Sequence, residues 1–417
     1  MCDRETGFTA AMKILVVSNL YPPHHVGGYE LGCRDVVQAL RARGHRVHVL
    51  TSAFRLEGKS DGPEADVTRE LHWVASAADR RHEKLHECRL LSRAIRQHQP
   101  DIVYFWNQAG LSFWLPIAAR WLGRRIAYFL SDTNFVSWRV GAFLTGWARG
   151  ADQTLRARII RSVLGETFLV HGYPIIRNQT CHFASRFLRS CADRGGIPIA
   201  EETSVVAHWG VDVRQFSVER EVRWPWHRLL YAGQLARAKG VHTAIAAIAL
   251  LSKEAHFANL HLSIAGGGLH PEYEKELREQ VLQAGLGERV RFLGKLSRHE
   301  LAKVYAEHDI LVFPSEWDEP FAITPLEAAA AGLAIVATNT GGSGERFREG
   351  ETAKVFGAGD AQDCARALRE LLADRALAEA MRQRARQEIV AHHTLDAMVH
   401  EIETSLRRVA RQKSDIS

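Results

Sequence analysis

The chain has 417 residues, of which 46% are hydrophobic and 24% are charged. This composition is typical of globular proteins and excludes a disordered, collagen-like or fibrous chain. At about 150 residues per domain, the length predicts two or three domains. There are 54 lysines and arginines and 48 acidic residues, so the net charge of +6 is mild. Such a charge fits a protein that meets anionic ligands or an anionic membrane face.

The cysteines and histidines do not indicate a metal or disulfide site. The six cysteines include no CxxC pair, which argues against a disulfide framework and a zinc ribbon. His82, His86 and Cys88 lie close together, but a polar helix or loop is favoured because no complementary ligand pair is visible. The chain also lacks a run of about 18 apolar residues and a signal-peptide core. We therefore expect a cytoplasmic protein without a bound metal, with peripheral contact to the inner face of the membrane left open.

The first half of the chain alternates short apolar runs with helical patterns. KILVVS (13–18) predicts a strand, which a glycine-containing turn, a helix ending at Gly44 and a second strand (45–52) follow. Four later runs predict fully buried parallel strands: DIVYFW (101–106), RIAYFL (125–130), TFLVHG (167–172) and SVVAHW (204–209). This alternation indicates a doubly wound α/β domain.

The second half repeats the same alternation. Its predicted strands are RLLYAGQL (228–235), LHLSIAGGG (260–268), RVRFLGKL (289–296), DILVFPS (309–315) and GLAIVATN (332–339). We predict an α/β protein with two Rossmann-like domains, 12–209 and 226–390, joined by a link at 210–225 and followed by a terminal helical segment, 391–417. Ligands of open α/β sheets bind at the carboxyl ends of the strands, so two such domains predict a cleft lined by these loops.

The segment SEWDEPFAITPLEAAAAG carries two candidate site carboxylates. Glu319 follows a strand in a loop, and Glu327 lies in the next helix, for which Thr324 is a suitable N-cap and Pro325 a suitable first residue. A helix N-terminus can hold a phosphate, and carboxylates accept hydrogen bonds from sugar hydroxyls. Two structural alternatives stay open: Thr324 and Glu327 fit a capping box, and Glu319 fits a solvated loop acid.

Two further loops follow predicted strands. Lys239, in YAGQLARAKGVHTAI, can neutralise charge that builds up on a departing phosphate, or it is a solvated surface lysine. Gly27 and Gly28 in the first loop allow a ligand to approach the backbone closely. His24 and His25 in the same loop are acid–base candidates, although solvated loop histidines are favoured because neither has a visible orienting partner.

Taken together, GQLARAKG (233–240), AGGG (265–268), TGG (340–342) and the E-x7-E spacing of EPFAITPLE resemble the family 4 retaining glycosyltransferases of the GT-B fold. The resemblance covers nearly the whole chain and is strongest between about Leu229 and Phe356. It implies a retaining, metal-independent transfer of a sugar from a nucleotide-diphosphate sugar, a UDP or GDP sugar above all, to a glycan, lipid-linked or small-molecule acceptor. It implies no cofactor besides this donor substrate, an N-terminal domain that binds the acceptor, and a last helix that packs back on that domain.

The resemblance also implies roles for individual residues. Glu319 would contact hydroxyls of the transferred sugar, Glu327 the ribose, and Lys239 the diphosphate. The implied catalytic residues are Glu319, Lys239 and Asp132, and the implied donor-binding residues are Gly27, Gly28, Gln234, Lys239, Gly266, Phe321, Ala322, Ile323, Thr324 and Glu327.

Two positions depart from the family pattern. Gln234 stands where the family often has arginine, with Arg237 as a candidate substitute, and Ser131 stands where it often has histidine before the retained Asp132. These departures leave open a non-catalytic protein that binds a nucleotide sugar. A sugar-nucleotide epimerase of the same two-domain plan is a further alternative, against which the paired motifs argue.

The segment 137–165 mixes five arginines with tryptophan, phenylalanine and leucine. Such a segment can rest on an anionic membrane surface, which would suit a lipid-linked acceptor. The alternative, a core-facing helix with a solvated basic face, is slightly favoured. Nucleic acid is not an expected partner, because the basic excess is small and no basic-aromatic platform recurs.

Overall fold

The computed structural model describes residues 10–61, 65–73, 84–112, 114–133, 135, 179–197, 199–216, 224–268 and 271–411. The chain forms two compact units. One lies within Met1–Ala207 and Val399–Ser417, and the other within His208–Met398. Each unit is an α/β structure built on a parallel sheet.

The first unit contains a sheet of parallel strands in the order β3-β2-β1-β4-β5-β6-β7. Its strands are β1 (Lys13–Ser18), β2 (Arg46–Ser52), β3 (Val67–Leu71), β4 (Ile102–Phe105), β5 (Arg125–Leu130), β6 (Thr180–Phe183) and β7 (Ser204–Val206). Its helices among the described residues are α1 (Gly28–Ala42), α2 (Lys84–His98), α3 (Trp114–Trp121) and α4 (Arg186–Arg194).

The second unit contains a sheet in the order β10-β9-β8-β11-β12-β13. Its strands are β8 (Arg228–Ala232), β9 (His261–Ala265), β10 (Val290–Gly294), β11 (Ile310–Phe313), β12 (Ala334–Thr338) and β13 (Lys354–Phe356). Its helices are α5 (Val213–Phe216), α6 (Val241–Leu251), α7 (Pro271–Gln283), α8 (Arg298–Glu307), α9 (Thr324–Ala330), α10 (Ala361–Ala373) and α11 (Arg375–His392). The last helix, α12 (Leu395–Arg411), begins in this unit and continues in the first.

The central strands of both sheets are apolar on both faces. In β1, Ile14 pairs with Val47 of β2 on one side and with Ile102 of β4 on the other. All four residues of β11 are buried, as are all five of β12. A strand that helices cover on both faces needs a continuous apolar run, and these runs are the ones that the sequence shows.

The predicted fold class, with two parallel α/β sheets, is confirmed, and the strands at 13–18 and 125–130 have the predicted bounds. The prediction of a fully buried strand at 204–209 is wrong, because β7 spans only Ser204–Val206 and is half-buried at the edge of its sheet. Three short strands, β3, β6 and β13, were not predicted. The predicted strand 167–172 and the basic segment 137–165 lie outside the described residues.

Helix α12 is held in the first unit by an ion-pair cluster. The Glu403 carboxylate accepts hydrogen bonds from Arg43 Nη1 (2.8 Å), His45 Nε2 (3.0 Å) and Arg407 Nη2 (2.6 Å). Burial alone would raise the pKa of Glu403, but the hydrogen bonds from Arg43, Arg407 and His45 outweigh it and lower this pKa to about 2. The cluster therefore joins the C-terminal helix to the segment between α1 and β2.

Candidate active site

The predicted site residues of the second unit lie in loops at the carboxyl ends of its strands, except Thr324 and Glu327, which lie on helix α9. After β8, the chain passes Gly233 and a 3₁₀ turn (Arg237–Lys239) to Gly240, where α6 begins. Gly240 has a left-handed φ of 67°, and a Cβ there would lie 1.9 Å from the Pro314 carbonyl oxygen. Only glycine allows this approach, which brings Lys239 against the loop that follows β11.

Lys239 and Glu319 form an ion pair in these loops. Lys239 Nζ donates to Glu319 Oε1 at 2.7 Å, and Ser315 Oγ donates to the same oxygen at 2.7 Å. The Glu319 side chain is only 8% exposed, and that of Lys239 is 27% exposed. The alternative of a solvated loop acid is therefore wrong for Glu319, and Lys239 is not a freely solvated lysine.

The main chain of Glu319 is also held in place. Its carbonyl oxygen accepts a hydrogen bond from the Gly342 N–H at 2.6 Å. Gly341 has a φ of 56°, and a Cβ there would lie 2.4 Å from the same oxygen. The TGG motif at 340–342 thus supplies the close backbone contact that fixes the Glu319 loop.

Glu327 lies on α9 and is buried at 6% exposure. Its Oε1 accepts from Arg298 Nε at 3.0 Å, and its Oε2 accepts from the Tyr305 hydroxyl at 3.2 Å. Burial, and secondly the Glu327 charge, raise the pKa of Tyr305 well above its usual range, so Tyr305 stays a donor. Residues of α8 therefore orient Glu327.

The capping-box interpretation of Glu327 is wrong. Thr324 is the first helical residue rather than the N-cap, and the N-cap is Ile323, whose side chain has no acceptor. A capping box requires a hydroxyl at the cap position, so it cannot form here. Pro325 is the second helical residue rather than the predicted first one, because the helix begins one residue earlier, at Thr324.

Phe321 is buried, and Ala322, Ile323 and Thr324 are half-buried. The Phe321 ring lies 5.4 Å from the His208 ring and 6.4 Å from the His393 ring, and the Arg346 guanidinium lies 5.9 Å above it. His208 Nε2 contacts Glu345 Oε2 at 2.9 Å. The contacts of the Phe321 ring anchor the loop between Glu319 and α9. The backbone of 321–324 is therefore held in place by the Phe321 side chain, within the second unit.

Gly266 and Gln234 are the other two predicted donor-binding residues of the second unit. A Cβ at Gly266 would lie 1.8 Å from the Gly233 carbonyl oxygen, so the loops after β8 and β9 touch through their backbones. Gln234 is exposed, and its main-chain carbonyl oxygen accepts a hydrogen bond from the Tyr231 hydroxyl at 2.7 Å.

Arg237, the candidate substitute for the arginine missing at 234, contacts residues of α7. It forms an ion pair with Glu276, and its guanidinium lies 5.3 Å from the centre of the Tyr273 ring. Both side chains of this ion pair are more than half exposed, so the pair is weak, and compensation by Arg237 for Gln234 stays a prediction.

The predicted residues of the first unit lie at the ends of β1 and β5. Gly27 is the N-cap of α1 and Gly28 its first residue, and the buried Glu30 carboxylate accepts from the Gly27 N–H at 2.9 Å. Asp132 follows β5, and its Oδ2 accepts from Asn107 Nδ2 at 3.1 Å. Burial, opposed by backbone hydrogen bonds, raises the pKa of Glu30.

Asn19 and Asn107 connect these positions, and sequence reasoning missed both. The Asn19 N–H donates to the Asn107 carbonyl oxygen at 2.9 Å, and Asn19 Nδ2 contacts the Tyr29 hydroxyl at 3.4 Å. The sequence could have identified both as candidate site residues, because each follows a predicted strand, as Asp132 does. The ends of β1, β4 and β5 thus present amides, a phenol and a carboxylate at one edge of the sheet.

His24 is buried rather than solvated. Its Nε2 lies 2.8 Å from Asp61 Oδ1, and its Nδ1 accepts from the Leu56 N–H at 3.1 Å. The backbone donor fixes the tautomer with the proton on Nε2, directed at Asp61. His24 thus has the orienting partner that the sequence did not reveal, and it fixes the loop before Gly27.

The residues that hold the two glutamates were also missed. Ser315 lies directly after β11, where polar residues line sites in α/β sheets, so a signal existed for it. Arg298 and Tyr305 gave none, because they lie 29 and 22 residues from Glu327. Across the part of the chain that the structure describes, no three His, Cys, Asp or Glu side chains form a group that could hold a metal ion. None of the helices within the described ranges is long and apolar enough to cross a membrane.

Comparison with known proteins places these features in a family. Residues 26–167 match the family model described as Glycosyltransferase Family 4, and residues 227–388 match the model described as Glycosyl transferases group 1. The second match contains Lys239, Glu319 and Glu327.

Relatives and solved structures match over most of the chain. The chain is 29% identical to a glycogen synthase of Mycobacterium tuberculosis over 403 residues, 91% of each protein. It is 26% identical to the D-inositol 3-phosphate glycosyltransferase of Corynebacterium urealyticum over 84% of this chain and 83% of that protein. The structure of Anabaena HepE in complex with UDP-glucose has a TM-score of 0.67 at 18% identity and covers 95% of this chain and 100% of that one. This chain belongs to the family 4 glycosyltransferases, within the group 1 glycosyl transferases of the GT-B fold.

Proposed function

We propose that this glycosyltransferase retains the anomeric configuration and works without a catalytic metal. Its donor is a nucleotide-diphosphate sugar, and its acceptor is a glycan, a lipid-linked molecule or a small molecule. The ion pair between Lys239 and the buried Glu319 carries this proposal, because it places a cation for a diphosphate and an acceptor for sugar hydroxyls side by side.

The donor side of the proposal uses three residues of the second unit. Lys239 binds the diphosphate, Glu319 accepts hydrogen bonds from the transferred sugar, and Glu327, oriented by Arg298, accepts from the ribose hydroxyls. A UDP or GDP sugar is the proposed donor. The solved complex of HepE with UDP-glucose supports a uridine nucleotide as the first one to test.

The chemistry depends on stabilising the leaving group. As the bond between the sugar and the diphosphate breaks, negative charge develops on the diphosphate oxygen, and the Lys239 ammonium stabilises that charge. The acceptor hydroxyl attacks the same face of the sugar and transfers its proton to the departing diphosphate. This path conserves the anomeric configuration and requires no metal.

We place the acceptor on the first unit, near Asp132. Its carboxylate, held by Asn107, offers a hydrogen-bond acceptor to a hydroxyl of the incoming molecule. Two relatives are named glycogen synthase and D-inositol 3-phosphate glycosyltransferase, which supports testing both a glycan and a small-molecule acceptor. A non-catalytic protein that binds a nucleotide sugar is the second candidate, because Gln234 is neutral and Arg237 pairs with Glu276.

Thermal shift and calorimetry with UDP, GDP and ADP, with and without EDTA, test the donor. Stabilisation by one nucleotide that EDTA leaves unchanged supports a metal-independent transferase. If none of the three binds, the donor proposal is wrong.

Turnover separates an enzyme from a binding protein. We expect Glu319→Ala to reduce donor turnover by at least 100-fold, since each lost transition-state hydrogen bond costs about 3 kcal/mol. Glu316→Ala in the same loop serves as the control, because Glu316 pairs with His242 and Thr243 instead. Nucleotide binding without turnover in the parent protein would favour the non-catalytic candidate.

We also propose peripheral membrane contact through the basic and aromatic segment 137–165. The proposal rests on the sequence of that segment. Sedimentation with anionic liposomes tests it: salt-sensitive pelleting supports the contact, and a protein that stays in the supernatant contradicts it.

A further inference from the structure

We propose that the Lys239–Glu319 ion pair makes the protein prefer the nucleotide sugar over the nucleotide diphosphate that remains after transfer. The inference rests on the proposed function and adds to it a selection between substrate and product. The pair joins the two groups that would contact different halves of the donor, the diphosphate and the sugar.

The Glu319 carboxylate is buried and is held by two side-chain donors. Its Oε1 accepts from both Lys239 and Ser315, and its side chain is only 8% exposed. A buried carboxylate that loses its cation is strongly destabilised unless other donors replace that cation. Glu319 can therefore give up Lys239 readily only when a ligand brings new donors to it.

The nucleotide sugar and the nucleotide diphosphate differ in the groups that they offer to this ion pair. A diphosphate carries more negative charge than a carboxylate, so it competes for the Lys239 ammonium and repels Glu319. The transferred sugar of a nucleotide sugar brings hydroxyls that donate to the displaced Glu319 carboxylate. A free nucleotide diphosphate lacks this sugar, and its ribose hydroxyls are those proposed to contact Glu327. The ion pair thus weakens binding of the product more than binding of the substrate.

The exchange of Lys239 for ligand hydroxyls requires only a side-chain motion of Glu319. The Glu319 carbonyl oxygen is held by Gly342, and the loop is anchored by the buried Phe321 ring. The main chain therefore stays in place, and rotation of the Glu319 side chain is sufficient for the exchange. The partly exposed Lys239 ammonium has three donors and remains accessible to a phosphate.

Calorimetry on the full chain tests this inference with matched ligand pairs: UDP with UDP-glucose, ADP with ADP-glucose, and GDP with GDP-mannose. In Glu319→Gln, we expect the affinity for the nucleotide diphosphate to rise about three- to tenfold, because Lys239 is no longer neutralised. The affinity for the nucleotide sugar stays level or falls, so the ratio of the two dissociation constants changes by about threefold or more.

Two further variants separate the ion pair from net charge. Glu316→Gln removes the same charge from the same loop, and we expect it to leave the ratio of dissociation constants within about twofold of the parent value. Glu319→Asp keeps the charge but shortens the side chain away from Lys239, and we expect it to tighten nucleotide diphosphate binding in part. If Glu319→Gln does not fold, binding to the Glu319→Asp variant tests the inference in its place.

Several results would overturn the inference. If Glu319→Gln weakens or leaves unchanged the binding of the nucleotide diphosphate, the carboxylate orients Lys239 rather than competing for it. If Glu316→Gln shifts the ratio as much as Glu319→Gln, net charge is responsible. If the parent protein binds none of the nucleotides, the proposed function fails as well, which distinguishes that failure from the first two.

Discussion

At the residue scale, the site depends on glycines that permit close backbone contacts. Gly240 and Gly285 both have left-handed φ values, 67° and 66°. A Cβ at Gly240 would lie 1.9 Å from the Pro314 oxygen, whereas a Cβ at Gly285 would have no atom within 4 Å. The two positions therefore share the backbone strain of a substitution and differ in the steric clash.

We expect Gly240→Ala to lower the free energy of unfolding by about 3 kcal/mol or more, because the strain and the clash add. Gly285→Ala is the matched control and should cost about 1–2 kcal/mol from strain alone. Urea unfolding of the two variants measures the difference. Equal losses would show that the contact between Gly240 and Pro314 is not important for stability.

Arg298 is a second residue whose removal should lower the free energy of unfolding. Its guanidinium is the cation next to the buried Glu327 carboxylate, so Arg298→Ala leaves that charge with less compensation. We expect a loss of about 2–3 kcal/mol in unfolding free energy together with weaker nucleotide binding. Lys275→Ala, which removes an exposed pair with Glu279, should change stability by no more than about 0.5 kcal/mol. An Arg298 variant as stable as the Lys275 variant would contradict this account.

At the element scale, the docking of α12 depends on Glu403. Arg43, Arg407 and His45 lower its pKa to about 2 in the folded chain, whereas a free glutamate has a pKa of about 4.5. The folded state therefore binds this proton less readily than the unfolded state. The stabilisation is present above about pH 4.5 and is lost as the pH falls toward 2.

We expect Glu403→Gln to lower the unfolding free energy by about 1–2 kcal/mol at pH 7. The difference from the parent should shrink between pH 4.5 and pH 2, where Glu403 becomes protonated. Glu401→Gln, at an exposed position of the same helix, controls for the change in net charge. A difference that stays constant over this pH range would rule out the ion-pair cluster as its source.

At the scale of the whole molecule, each unit contains a buried neutral histidine. Burial lowers the pKa of His182 in the first unit and of His393 in the second to about 3. An unfolded histidine titrates near pH 6.5, so the unfolded state takes up protons first as the pH falls. Stability is therefore full above about pH 6.5 and decreases toward pH 3.

We expect the unfolding free energy to fall between pH 6.5 and pH 5 by about 1 kcal/mol per pH unit for each of these histidines. His393→Phe keeps a ring against Phe321 and His208 and removes one titrating group. The unfolding free energy of this variant should therefore depend less steeply on pH, because unfolding takes up about one proton fewer. Unfolding followed across this pH range measures the slope, and an unchanged slope would exclude His393 as a contributor.

Much of the fold and part of the candidate site could be predicted from the sequence. Strands such as Lys13–Ser18 and Arg125–Leu130 are buried on both faces, so their apolar runs identify them. The short strands Val67–Leu71 and Lys354–Phe356 were missed, since polar and charged residues interrupt any such run. Residues 137–178 lie outside the described ranges, and the predictions made for them stay predictions.

The sequence by itself determined that two parallel-sheet α/β units form and that Lys239, Glu319 and Glu327 follow or adjoin strand ends. Periodicity, glycine spacing and motif spacing are local properties, and they are sufficient for those conclusions. Only the tertiary structure decided that Lys239 pairs with Glu319, 80 residues away, that Arg298 and Tyr305 orient Glu327, and that Arg237 pairs with Glu276. The physical reason is that these contacts depend on which loops the sheet order brings together and on backbone approaches as close as that of Gly240 to Pro314, which local sequence patterns do not specify.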